Sequence, residues 1–217
     1  MADFSDTFET GDTSAWTEAA GTVSVETDIV HNGNYALKCT SGYDIHGYVA
    51  YPQAAYMKRV SFWVYIDAWQ KTCGVMRLFG VGPKKWPNSY GRYALSLYLT
   101  HDRHLWFNGG SVSYWPTTVG YPYGMGAQLQ LGQWYRVSFS YRAAIAPGGA
   151  YNTTKQYKVY LDGVPEIAGS LYSYTQFGIA MNIGCSTPCW DTGESTVLRF
   201  DNIHYDDTDS TDDIGDL

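Results

Sequence analysis

Apolar and polar positions alternate in short runs along most of the chain. The runs Thr22-Val23-Ser24-Val25-Glu26-Thr27, Tyr93-Ala94-Leu95-Ser96-Leu97-Tyr98-Leu99 and Gln133-Trp134-Tyr135-Arg136-Val137-Ser138-Phe139-Ser140-Tyr141 show this most clearly. A period of two is that of a strand with one face buried. Further strands are predicted over 35–39, 59–66, 75–81, 105–107, 155–161, 177–183 and 197–205, the second of them long, apolar and central. Turn residues separate them. His31-Asn32-Gly33-Asn34 and Asp162-Gly163 carry the Asn-Gly and Asp-Gly signals of tight hairpins, and a turn is expected from His101 to His104. No amphipathic helix, internal repeat or linker interrupts the pattern. The expectation is an all-β chain with one domain over residues 1–205 and an acidic tail over 206–217. Four stretches lack the alternation: 41–57, 82–92, 108–130 and 184–195. Loops of that length in a compact domain carry function or dock onto something.

Composition narrows the function classes. The chain has 217 residues, enough for one well-filled sandwich. A net charge of −7 with no basic run argues against nucleic acid, whose phosphates need a cationic face. No run of 18 apolar residues is present, so no membrane-spanning helix is expected. The opening Met1-Ala2-Asp3-Phe4 lacks the charged and apolar regions of a signal peptide. The expected location is therefore a virion or extracellular assembly reached by another route, or otherwise the cytoplasm. Cys39, Cys73, Cys185 and Cys189 do not have zinc-site spacing; they read as four reduced thiols, with a Cys185–Cys189 bridge as the alternative.

The two ends of the chain echo each other. Phe4-Ser5-Asp6-Thr7-Phe8-Glu9-Thr10-Gly11 stands near the start with Trp16 beyond it, and Phe200-Asp201-Asn202-Ile203 near the end. Three internal steps lie between them in order: Gly33-Asn34-Tyr35-Ala36-Leu37, Leu131-Gly132-Gln133-Trp134-Tyr135-Arg136-Val137 and Val159-Tyr160-Leu161-Asp162-Gly163. Together they resemble the concanavalin A-like lectin/glucanase jelly rolls, which include laminin-G-like domains and carbohydrate-binding modules. The resemblance implies a two-sheet antiparallel jelly-roll β-sandwich with one concave sheet and with the first and last strands paired. It also implies a structural Ca2+ held by the side chains of Glu9 and Asp201 and the backbone oxygens of Gly11 and Lys38.

The irregular stretches are rich in aromatic rings. Tyr43, His46, Tyr48, Trp86, Tyr90, Trp115, Tyr121, Tyr123 and Trp190 supply faces for sugar C–H surfaces, with Arg92 among the hydrogen-bonding groups beside them. The same residues also suit contacts between subunits. No Glu-x-Asp-x-Glu step exists, and Glu166 and Glu194 are isolated, which argues against a retaining glycosidase. A polysaccharide lyase needs a base and a cation to neutralise a uronate, and Arg77, Arg92, Lys84, Lys85, His46, Tyr93 and His101 are the candidates. The sequence therefore leads to a non-catalytic, lectin-like interaction protein. Its expected place is the surface of a larger assembly such as a phage virion, as a decoration, fibre or appendage, with polysaccharide, glycoconjugate or neighbouring subunits as partners. A free carbohydrate-binding module and a lyase of acidic glycans are the alternatives.

Overall fold

A computed structural model describes residues 4–42, 47–51, 59–69, 75–82, 95–109, 125–143, 154–172, 180–186, 195–206 and 212–213. Fifteen strands run in chain order: β1 Phe4–Asp6, β2 Glu18–Ala20, β3 Thr22–Glu26, β4 Ala36–Ser41, β5 Gly47–Tyr51, β6 Arg59–Ala68, β7 Val75–Gly82 and β8 Leu95–Thr100. They continue as β9 His104–Gly109, β10 Met125–Gln128, β11 Trp134–Ala143, β12 Thr154–Leu161, β13 Val164–Tyr172, β14 Ala180–Ser186 and β15 Thr196–Asp206. No helix occurs among the described residues.

Two antiparallel sheets form. Sheet A has the order β13-β12-β11-β6-β15-β4-β3, with β1 also on β15; sheet B has the order β10-β9-β8-β7-β14-β5-β2. The inward side chains of both sheets merge into one core, including Phe62, Phe79, Phe107, Phe139 and Phe200, all 0–1% exposed. The expected pairing of first and last strands is present, with Phe4 opposite Tyr205 and Asp6 opposite Ile203. Asp162 (φ 50°) and Gly163 (φ 82°) make the tight turn between β12 and β13, as the Asp-Gly signal required.

The structure departs from the sequence reading at the N-terminus and in the irregular stretches. The N-terminal strand stops at Asp6, because Phe8 adopts φ 60° and Asp6 Oδ1 accepts its amide, turning the chain before Glu9. The stretch 41–57 contains β5, the stretch 108–130 contains β10, and Glu18–Ala20 forms the unanticipated β2. β2, β5 and β10 are short or have apolar residues on both faces, so period two is weak there. Cys39 and Cys185 are buried free thiols, in line with the reading of reduced cysteines and against the alternative bridge from Cys185 to Cys189; Cys73 and Cys189 lie outside the described residues. Within the acidic tail, Asp212 and Asp213 lie on sheet A: Asp213 accepts from Arg136 and Ser138, and the Asp212 carbonyl from Ser140.

Candidate functional site

Two places in the fold gather polar groups. The first is a gap along one edge of β15. β4 pairs with residues 196–200 of that edge and β1 with residues 203–205, leaving Asp201 and Asn202 between them. Asn202 adopts φ 45° at a register shift against β6. The turn 31–35, just before β4, lies over this gap. Asp201 Oδ2 accepts the amides of His31 and Asn32, each at 3.1 Å. Glu9 Oε1 accepts the amides of Asn34 at 2.9 Å and Tyr35 at 3.0 Å, and Oε2 accepts Asn34 Nδ2. Asp201 is fully buried, and burial pushes its carboxyl up to about 6; the charge of Glu9 adds to the rise. Glu9 lies below the usual carboxylate range because Asn34 donates to it.

Two of the four expected metal ligands, Glu9 and Asp201, therefore come together on one turn. Gly11 stands beside that turn: a Cβ built on it would meet the Tyr35 ring at 3.5 Å. Lys38 sits inside β4 opposite Ser24 and Arg199, and its Nζ pairs with Glu26 at 3.0 Å. Asn202 Oδ1, next to Asp201, is buried without a hydrogen-bond partner. Glu9, Asp201 and the Asn202 amide supply oxygens, the atoms a hard cation takes, but among the described residues no group of three or more His, Cys, Asp or Glu side chains gathers here. An open cavity of about 590 Å³, lined by Thr27, Asp28, Val30, Gly33, Asn34 and Tyr35, adjoins the turn.

The second place is the face of sheet B turned away from the core. The strand registers put Glu18, Ala50, Asn182, Gly80, Ser96 and Asn108 in one row across six strands. A second row runs Ser186, Arg77, Tyr98, Trp106 and Met125. Partners in register share a face, so Glu18, Ala50, Asn182 and Ser96 of the first row lie on the same face as Arg77, Tyr98, Trp106 and Met125 of the second. In the first row Asn182 is 0% exposed, and neither its Nδ2 nor its Oδ1 has a partner. Its neighbours Ala50 and Gly80 are small and offer no polar side chain. In the second row Arg77 donates to Tyr98 Oη at 3.1 Å, and the Tyr98 and Trp106 rings lie 5.3 Å apart. Trp106 Nε1 is buried without an acceptor.

Of the predicted aromatic platform, only Tyr48 is described. It lies on β5 rather than in a loop, is 1% exposed, and donates to Glu18 Oε1 at 2.8 Å. Tyr43, His46, Trp86, Tyr90, Arg92, Trp115, Tyr121, Tyr123 and Trp190 lie outside the described residues, as do Lys84, Lys85 and Tyr93. The strands they connect are described. β7 ends at Gly82, opposite Ala180, and β9 at Gly109, opposite Leu95, while β5 begins at Gly47, opposite Cys185. The sequence reading missed Asn182 and Ser96. An asparagine at an outward position of an otherwise apolar strand, Met181-Asn182-Ile183, was the available signal.

No family model matches the chain, and no curated protein matches it in sequence. Solved structures do match. The cellulose induced protein Cip1 superposes with a TM-score of 0.62 at 17% identity, over 94% of this chain and 97% of Cip1. The alginate lyase Aly36B superposes with a TM-score of 0.59 at 12% identity, over 94% of this chain and 96% of the lyase. Botulinum neurotoxin type C, whose passage into cells depends upon interaction with two ganglioside molecules, gives 0.52 at 12% identity, over 91% of this chain and 45% of that one. The chain has the concanavalin A-like jelly-roll fold. Its neighbours of that fold include carbohydrate-binding and polysaccharide lyase domains.

Proposed function

We propose that the protein is a lectin-like glycan-binding sandwich that holds its ligand on the outer face of sheet B. The unpartnered amide of Asn182 carries this reading. A buried polar group without a partner costs roughly 1–3 kcal/mol, and such groups persist in native structures where a ligand or solvent molecule uses them. A carboxamide presents one donor edge and one acceptor edge, and a pair of neighbouring sugar hydroxyls offers the complementary pattern. Ala50 and Gly80 flank the amide with space rather than bulk, while Trp106 and Tyr98 supply ring faces one row away. The glycan-recognising and glycan-cleaving neighbours support the same ligand class.

The finer reading is a surface subunit of a larger extracellular assembly such as a phage virion. The tyrosines and tryptophans of the connectors favour it, since such rings are enriched at protein interfaces. A structural calcium belongs to this proposal. Glu9, Asp201 and the Asn202 oxygen would hold it, and it would neutralise two facing carboxylates and lock the ends of the chain to the 31–35 turn.

A lyase is the second reading, favoured by the Arg77–Tyr98 hydrogen bond. A guanidinium beside a phenol would neutralise a uronate carboxylate while the phenol oxygen takes the C5 proton, the C4–O bond breaks as the C4–C5 double bond forms, and the phenol hydroxyl returns a proton to the departing oxygen. Native affinity electrophoresis in gels cast with alginate, soluble cellulose derivatives and sialylated glycans tests both readings. Retardation in one gel, lost in Asn182→Leu, is the expected result. A cleared track that Arg77→Ala abolishes would establish the lyase. Unchanged mobility in every gel would overturn the glycan site.

A further inference from the structure

The two sheets meet where β5 begins. Gly47 opens β5 in sheet B, and a Cβ built on it would lie 2.4 Å from the Thr22 carbonyl oxygen and 2.9 Å from the Thr40 amide nitrogen of sheet A. Sheets packed face to face otherwise stand about 10 Å apart. Two cysteines flank this contact. Cys39 precedes Thr40 on β4, with Leu198 opposite it on β15 and Val23 on β3. Cys185 lies on β14, directly opposite Gly47. Both are 0% exposed and belong to the shared core. Cys185 Sγ reaches across to sheet A, 3.5 Å from the Cys39 carbonyl oxygen and 3.7 Å from that of Thr196.

The two thiols are therefore close together and sealed from water. Burial pushes both above the usual thiol range, and the nearness of Cys185 raises Cys39 further. A disulfide needs Cα atoms about 4.4–6.8 Å apart, which sheets in backbone contact permit and an ordinary sandwich spacing does not. Such a bond would join an early strand to a late one, and the unfolded chain loses more freedom the longer the loop that is closed. In the folded protein these thiols stay protonated and hidden, so they react slowly. During folding, before the sheets close on each other, they are open to solution.

We propose that Cys39 and Cys185 are a disulfide pair that staples sheet A to sheet B when the chain folds in the presence of a small-molecule disulfide such as oxidised glutathione. The thiolate of one cysteine attacks that disulfide, giving a mixed disulfide and one released thiol. The thiolate of the other attacks the mixed disulfide, closing the Cys39–Cys185 bond and releasing the second thiol. Two electrons pass to the small disulfide, and the two cysteine protons end on the released thiols. The closed bond lies in the core, out of reach of reductants. It belongs to an oxidising compartment: an extracellular copy of the protein carries it, and a cytoplasmic copy keeps two thiols.

The test refolds the denatured, reduced full-length chain in two ways, with a mixture of oxidised and reduced glutathione or with dithiothreitol. Remaining thiols are blocked with iodoacetamide and the peptides mapped by mass spectrometry. The glutathione sample should yield a linked peptide joining Cys39 to Cys185, absent from the dithiothreitol sample. Freed of reagents, it should also melt about 5–10 °C higher. The chain carrying Cys73→Ser and Cys189→Ser keeps the proposed pair and should show the same linked peptide and the same gain. Cys185→Ala should melt alike after either refolding. The inference is overturned if Cys39 and Cys185 are recovered alkylated from the glutathione sample, or if Cys185 is linked to Cys73 or Cys189 instead. A linked chain that melts no higher than the reduced one would overturn the staple as well. Neither readout involves a glycan, so failure here leaves the sheet B site untouched.

Discussion

Glu9 and Asp201 clasp one turn from two sides: Asp201 takes the amides of His31 and Asn32, and Glu9 takes those of Asn34 and Tyr35. One carboxylate follows the first strand and the other lies within the last. The turn between them leads into β4, the neighbour of β15 in sheet A. Closing the gap between β1 and β4 therefore depends on two negative charges brought close together, one of them buried. His31 extends the clasp onto the outer face of sheet A, where its ring stacks on Trp63 at 3.7 Å.

The buried member makes stability depend on pH. Asp201 titrates at about 6 in the folded protein against an ordinary 3.8, so the native state holds its proton more tightly than the unfolded chain. Its contribution is fully present below about pH 4 and is lost as pH rises through about 6, for a total of roughly 2–3 kcal/mol. Asp201→Asn should flatten the stability profile across that window in urea titrations. An unchanged slope would show that another group controls it.

Calcium acts on the same pair with the opposite sign. A divalent cation favours both ionised carboxylates, so millimolar calcium should raise the melting temperature at pH 7, with a smaller gain at pH 5. Chelation should reverse the gain. Scanning calorimetry with and without calcium is the check, and identical traces at pH 7 would remove the metal from the proposal.

Gly33 is where the clasp tolerates least change. It adopts φ +77°, and a Cβ built on it would lie 2.4 Å from Glu9 Oε1. Gly33→Ala is expected to cost roughly 1–3 kcal/mol from backbone strain and displacement of the carboxylate. Glu9→Gln should cost less, because its amide oxygen still accepts from the turn. Denaturant midpoints of the two variants measure the difference, and a fully stable Gly33→Ala would show that Glu9 moves aside freely.

Arg199 does comparable work further along β15. Its side chain is 3% exposed and pairs with Asp28 at 2.5 Å and Asp67 at 2.9 Å, while Glu26 lies at 3.5 Å beside Lys38. Arg199→Met leaves these acids facing one another without the guanidinium. Asp28 and Asp67 are partly solvated, which moderates the loss to roughly 2–4 kcal/mol. A melting point within a degree of wild type would mean that water replaces the arginine without loss.

The sequence pattern revealed the architecture because buried strands must alternate and tight turns must use particular residues. Asp162-Gly163 located a hairpin to the residue, and the Glu9 and Asp201 echo located the paired termini. The clasp itself was only half legible. Which amide lies near a carboxylate depends on where a turn folds back, and a pattern of apolar and polar positions does not carry that. The sheet B rows were hidden for a different reason. Glu18, Asn182 and Ser96 come from strands far apart in the chain, and only the register brings them into one line.

Asn182 offers the sharpest separation of binding from folding. If its amide is kept for a ligand, the unliganded protein gains nothing from it and bears the desolvation penalty of two unmade hydrogen bonds. Asn182→Leu, similar in volume, should leave stability unchanged or raise it by about 1–2 kcal/mol while abolishing retention in the glycan gel. Ser96→Ala should weaken retention with little effect on stability, because a hydroxyl one strand beyond Gly80 makes fewer contacts. Urea midpoints and gel mobilities measured on the same preparations decide the matter. A destabilised Asn182→Leu would mean that the amide serves the fold, and the ligand would then have to be sought elsewhere on sheet B.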